Sequence, residues 1–253
     1  AVAAGIVCSR LSGLLRERVI AYYLGSSPTA GAFRAAMRIP NFMQNLFGDG
    51  VLSASLIPVY VKLLLAGETQ AARETAGTVL GLLAGIVALL AAVGALLARP
   101  LLDLLAPGFT GEVRELTVTL VQIMFPGVAL LVLSAWTLGI LNSHRRFFLS
   151  YVAPVLWSAG VAGGLILGRL LTGSANLESL AFCAAWGTVV GAALQLAFQL
   201  PRARRLNGGL YLGFKTNAEP VRQVFQGALP AILTRGVVQI SAYIDGALAS
   251  YLG

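Results

Sequence analysis

The chain has 253 residues, of which 57% are hydrophobic and only 11% charged, with a formal net charge of +8. An ordinary globular domain carries about 25% charged residues, so a soluble single domain is excluded. Runs such as AGTVLGLLAGIVALLAAVGALLA (residues 76–98) are uncharged and long enough to cross the ~30 Å hydrocarbon core as helix; they are too long, and alternate too little, for barrel strands. The composition predicts an all-α, polytopic membrane helix bundle.

Seven apolar segments follow in chain order, at about 1–24, 29–65, 74–98, 113–142, 149–171, 178–200 and 220–253. The second exceeds a simple span and contains Pro40 and then Gly48-Asp49-Gly50, which predicts a kinked or broken helix. Pro126 and Pro154 predict milder kinks. Two glycine ladders, Gly77/Gly81/Gly85 and Gly160/Gly164/Gly168, are expected to be helix-packing faces. Cys8 and Cys183 lie in apolar segments and read as small packing residues. The chain opens on AVAAGIVCSRLSG and closes on ALASYLG, both inside apolar segments, so a piece of a longer protein is expected.

The loops sort by charge. Those after the second, fourth and sixth segments carry Lys62, Arg73, Arg145, Arg146, Arg202, Arg204, Arg205, Lys215 and Arg222; those after the third and fifth carry only Arg99, Arg114 and Arg169. The positive-inside rule then places the basic loops and the N-terminus in the cytoplasm. A pI near 10.1 would suggest nucleic acid in a soluble chain; here it reflects these loops, and no nucleic-acid partner is expected. His144, in the NSHRRFF loop, is expected to be solvated.

Charge inside the membrane is the functional signal. Arg10, Arg16, Arg18, Arg34, Arg38 and Arg235 fall within the apolar segments, with Glu17, Asp49 and Asp245. Each costs at least ~2.5–3.5 kcal/mol at mid-membrane if it faces lipid, so these residues should face the bundle interior, water or a partner. Arg34, Arg38, Asn41 and Asn45 share one helical face, a polar ridge about 16 Å long. Arg18 is expected to snorkel to the interface, with Glu17 pairing either it or Arg16. Arg10, Arg16 and Arg38 are expected to line a cationic cavity suited to an anionic guest, since guanidinium matches phosphate oxygens and stays charged. Asp245, with Gln239 and Ser241 nearby, reads equally as a site for Na⁺ or a proton and as a salt-bridge partner for another helix. Walker, dinucleotide, zincin and metal-spaced Cys/His motifs are all missing from the sequence. A transporter, not an enzyme, is expected, without cofactor or metal.

The stretches SRLSGLLRERVIAYYLG and AFRAAMRIPNFMQNLFGDGVLSASLIPVY resemble the N-terminal signature of the MurJ/MviN family, the lipid II flippases of bacterial peptidoglycan synthesis. APGF (106–109), Phe125-Pro126, GILNS (139–143), APVL (153–156) and GAALQLAFQLP (191–201) follow collinearly. The resemblance implies a six-helix N-terminal bundle (1–203), a cytoplasmic linker (204–219) and most of a seventh helix (220–253), with a second bundle completing a MOP-superfamily transporter. It implies a multi-pass protein of the bacterial inner membrane that flips lipid II by alternating access, coupled to Na⁺ or the membrane potential. Its arginines map onto Arg10, Arg16 and Arg38, and its seventh-helix acid onto Asp245. Gly31 stands where many members have an acid, and Gln44 where many have an arginine; Arg34 is expected to compensate for the latter. A flippase for another polyprenyl-pyrophosphate saccharide, a cation-coupled multidrug antiporter and a non-transporting scaffold are the rival readings.

Overall fold

A computed structural model describes residues 2–105, 108–172, 176–213 and 216–252, with side chains described for all of these except 2, 39, 40, 43, 49, 105, 172, 240 and 242–252. In chain order the helices are α1 (Val2–Leu24), α2 (Pro28–Phe47), α3 (Asp49–Leu65), α4 (Thr69–Leu96), α5 (Ala98–Leu105), α6 (Gly111–Ser143), α7 (Phe147–Val152), α8 (Pro154–Thr172), α9 (Leu177–Leu206) and α10 (Glu219–Leu252). No strand occurs among the described residues. With α2–α3 and α7–α8 each taken as one interrupted rod, these account for the seven apolar segments, and α5 is the short amphipathic piece between the third and fourth.

Local chemistry sets the breaks. α1 stops at Gly25, whose φ of +61° is the left-handed turn glycine adopts most readily. α2 starts behind Ser27, whose Oγ accepts from the Ala30 amide at 3.1 Å, with Pro28 in the first turn. The second segment is broken as expected, at Gly48; α2 continues through Pro40. The Gly48 amide donates to the Gln44 carbonyl at 2.7 Å, closing α2, while its own carbonyl accepts from Val51 and Leu52 and opens α3. A Cβ at Gly48 would sit on the Gln44 carbonyl oxygen, so this junction demands glycine. α6 runs unbroken through Pro126, whereas Pro154 starts α8 as a new helix.

α6, about 50 Å long at 1.5 Å per residue, is the axis of the bundle and packs on α2, α3, α4 and α9. One end of it joins Ile20, Phe33, Leu102, Leu165 and Leu180 around Leu120 and Phe125; the other joins Leu56, Tyr60, Val79 and Leu83 around Trp136 and Ile140. Trp136 Nε1 donates to the Ala76 carbonyl at 2.9 Å, and Gln195 Nε2 to Ser134 Oγ at 2.8 Å, so buried polar groups tie α6 to α4 and α9.

Gly160 and Gly164 pack directly on the backbone of Gly187, Gly191 and Cys183, a small-residue seam that lets α8 and α9 touch. The other ladder differs. Gly77 accepts the Tyr211 backbone of the segment after α9, Gly81 is buried, and nothing lies within 4 Å of a Cβ at Gly85. Cys183 packs against Gly168, while Cys8 is exposed.

Among the described residues, five stretches are long and apolar enough to cross a membrane: Gln44–Leu65, Thr69–Leu96, Gly111–Ser143, Phe147–Leu171 and Leu177–Leu206. α1 is not among them, since Arg10, Arg16, Glu17 and Arg18 interrupt its apolar run. The basic connections cluster at one end. Tyr60 Oη donates to Asn207 Oδ1 at 3.1 Å, the Gly213 amide reaches the Gly77 carbonyl at 3.4 Å, and Gly5 near the start of α1 packs under Tyr151. At the opposite end Arg114 grips Asp103 through two 2.8 Å hydrogen bonds, and Arg99 pairs with Glu115 at 2.8 Å, pinning α5 to α6. Those bonds hold the Asp103 carboxyl below the usual carboxylate range.

Candidate functional site

The polar ridge of α2 stands clear of the core. Ala32, Phe33 and Ala36 are buried on one side of the helix, while Arg34, Arg38 and Asn45 are exposed on the other and Asn41 is half-buried. The buried side packs mainly on α6, and the guanidinium groups of Arg34 and Arg38 stand on the exposed side.

α1 divides its arginines. Arg10 and Arg18 are exposed. Arg16 is not a free cation: its Nη2 lies 2.7 Å from Glu17 Oε1, its side chain is only 17% exposed, and its guanidinium stacks 4.7 Å from the Trp157 ring centroid on α8. Carboxylate and ring together neutralise and orient it. Glu17 is therefore the partner of Arg16, and Arg16 ties α1 to α8.

Arg10 and the α2 ridge stand on helices that pack differently, α1 mainly on α7 and α8 and α2 mainly on α6. Cavities of about 610 and 780 Å³ lie at the two ends of the bundle, and neither is lined by Arg10, Arg34 or Arg38.

α10 brings a further cation. Arg235, exposed on its far side, lays its guanidinium directly on the backbone of Gly50 at the first turn of α3, and the next residue, Gly236, faces Leu46 of α2. α10 thus docks across the α2–α3 break. The side chain of Asp245, the expected cation ligand, lies outside the described residues.

His144 departs from expectation. It is half-buried, its Nε2 lies 3.4 Å from Tyr60 Oη, and its ring meets that of Tyr60 edge-on at 5.9 Å. Burial, and then the Arg146 charge, push its pKa below the ordinary histidine value. Neither the Trp157 stack nor the Tyr60 contact has a local sequence signal, because both partners are remote in the chain.

A family model described as the lipid II flippase MurJ matches residues 20–253. The chain belongs to the MurJ family. It is 33% identical over 246 residues to a probable lipid II flippase MurJ of Rhizobium tropici, covering 96% of this chain and 46% of that protein. Identity to the lipid II flippase MurJ of Burkholderia cenocepacia is 30%, covering 97% and 48%, and to the probable MurJ of a Synechocystis strain 32%, covering 99% and 48%. The chain spans about half the length of these curated relatives. Among solved structures, an inward closed lipid II flippase MurJ superposes with a TM-score of 0.72 at 22% identity, over 96% of this chain and 49% of that one. The Vibrio cholerae MATE transporter VcmN in its bent form gives 0.74 at 16% identity, over 98% and 56%. These likenesses show a shared fold, that of the N-terminal half. MurJ relatives are named as flippases, which are transporters and not enzymes.

Proposed function

We propose that this chain is the N-terminal half of a transporter that moves lipid II from the inner to the outer face of the bacterial cytoplasmic membrane. The observation that carries the reading is the exposed ridge of Arg34, Arg38 and Asn45 on a helix whose opposite side buries Ala32, Phe33 and Ala36. Exposed guanidinium groups in a helix of a membrane bundle call for water or an anion, and a pyrophosphate supplies paired anionic oxygens that arginine forks bind bidentately.

In this reading a second bundle, beginning with α10, faces the ridge and Arg10 and completes a central cationic cavity. The head group crosses by alternating access while the lipid tail stays in the bilayer. Residues 1–203 form the first bundle and 204–219 the linker. The N-terminus and the basic loops lie in the cytoplasm, as the positive-inside rule requires. Asp245 binds the coupling cation, or the membrane potential drives the cycle. An antiporter for cationic drugs is disfavoured by the excess of arginine over acid on α1 and α2.

The test uses cells depleted of their own lipid II flippase, with externally accessible precursor measured by a lipid II-cleaving toxin that acts only outside. The full-length protein restores the signal, and residues 1–253 alone do not. A well-expressed full-length protein that fails to restore it contradicts the lipid II assignment.

A further inference from the structure

At the basic end of the bundle, the turn after α6 and the last turns of α9 border an open cavity of about 610 Å³. Arg145 and Arg146 line it from the turn, Arg202 and Arg205 from α9, with Phe148 and Phe198 beside them and no carboxylate in its wall. We propose that this cavity binds the phosphate head group of an anionic phospholipid of the surrounding membrane.

Three observations carry it. First, two pairs of arginines more than fifty residues apart in sequence converge on one hollow, while Arg204, exposed like them on the same stretch of α9, does not line it. A general excess of positive charge at helix ends would need no such convergence. Second, the turn is built around Arg145. The Arg145 amide donates to the Asn142 carbonyl at 3.0 Å and the Arg146 amide to the Leu141 carbonyl at 2.9 Å, closing α6 as a Schellman motif. Arg145 occupies its left-handed position, φ +58°, where glycine is the favoured residue. A charged side chain stands at a position whose backbone disfavours it. Third, Phe148 and Phe198 are 50% and 47% exposed, at the ends of helices that span the apolar layer, the level at which aromatic rings and head groups meet. Guanidinium forks match phosphate oxygens, basic pockets between membrane helices take lipid head groups, and the volume lies in the range of small-ligand sites. The inference rests on the chain being membrane-embedded and not on its cargo, so failure of the flipping assay leaves it standing.

The test takes purified full-length protein in mild detergent, titrated with phosphatidylglycerol or phosphatidylcholine, with bound lipid counted by native mass spectrometry. Phosphatidylglycerol is retained in preference to phosphatidylcholine. Arg145→Gln with Arg146→Gln, or Arg202→Gln with Arg205→Gln, lowers that affinity roughly thirtyfold, and Arg204→Gln leaves it unchanged. Equal retention of the two lipids, or retention untouched by both double substitutions, overturns the proposal. Displacement of phosphatidylglycerol by millimolar inorganic phosphate would assign the site to free phosphate and overturn it equally. Should the double variants fail to fold, a photoreactive phenylalanine at position 148 of the otherwise native protein, in vesicles of equal phosphatidylglycerol and phosphatidylcholine, decides. Adducts enriched in phosphatidylglycerol support the site, and adducts in proportion to the mixture reject it.

Discussion

The Arg235 guanidinium lies on the backbone of Gly50, so the last helix of the chain locks onto the break between α2 and α3. Any side chain at position 50 competes for that space. Gly50→Leu should therefore lower the thermal midpoint of the full-length protein in detergent by the equivalent of about 1–3 kcal/mol, the cost of overpacking. Adding Arg235→Ala should recover most of the loss, as contacting residues couple. Gly48→Ala should be damaging without such rescue, because its Cβ meets the Gln44 carbonyl and not the end of a flexible side chain.

The two glycine ladders predict opposite outcomes. Gly164→Val forces α8 off α9, where the Cys183 carbonyl and Gly187 backbone already touch, and should sharply reduce folded protein recovered from membranes. Gly85→Ala meets open space and should be neutral or stabilising by up to about 1 kcal/mol through helix propensity. Thermal unfolding of the two variants side by side checks both.

The spans were legible because an uncharged apolar run of more than twenty residues has one stable disposition in a bilayer. The break at Gly48-Asp49-Gly50 was legible too, since two glycines in three residues weaken a helix whatever surrounds them. What escaped depends on the tertiary path. The ladder Gly160/Gly164 announced a seam, but its counterpart Gly187/Gly191 was hidden in an alanine-rich helix. That Arg16 stacks on Trp157 was not legible either, because the ring is over a hundred residues away in sequence. Arg145, Arg146, Arg202 and Arg205 read as ordinary loop charges, since only folding brings them to one hollow.

His144 makes the basic end sensitive to acid. Its pKa is lowered by burial and by Arg146, so the unfolded chain binds a proton more readily than the folded one. The stability tied to neutral His144 is complete above the unfolded value near 6.5 and is lost as pH falls below it. The thermal midpoint should drop between pH 6.5 and 5 in the native protein, and His144→Gln should flatten that part of the profile. An unchanged profile would remove His144 from the account.

Arg34 and Gln44 should trade roles on α2. Arg34→Leu is expected to reduce transport, and Gln44→Arg in the same chain to restore it, because either arginine returns α2 to the same total charge. Externally accessible lipid II in flippase-depleted cells reads both variants. A double variant no better than Arg34→Leu would show that Arg34 does not substitute for charge at position 44.

The central claim is that exposed arginines on α1 and α2 grip an anionic head group during transport. The decisive measurement compares externally accessible lipid II in flippase-depleted cells making equal amounts of full-length wild type, Arg10→Ala, Arg38→Ala or Arg16→Ala. Each charge-assisted contact to phosphate is worth about 1.5–3 kcal/mol. The account predicts a fall of roughly tenfold or more in Arg10→Ala and Arg38→Ala with folding intact, whereas Arg16→Ala, which loses its Glu17 and Trp157 contacts, should lower thermal stability first. Full transport by well-folded Arg10→Ala and Arg38→Ala would contradict it.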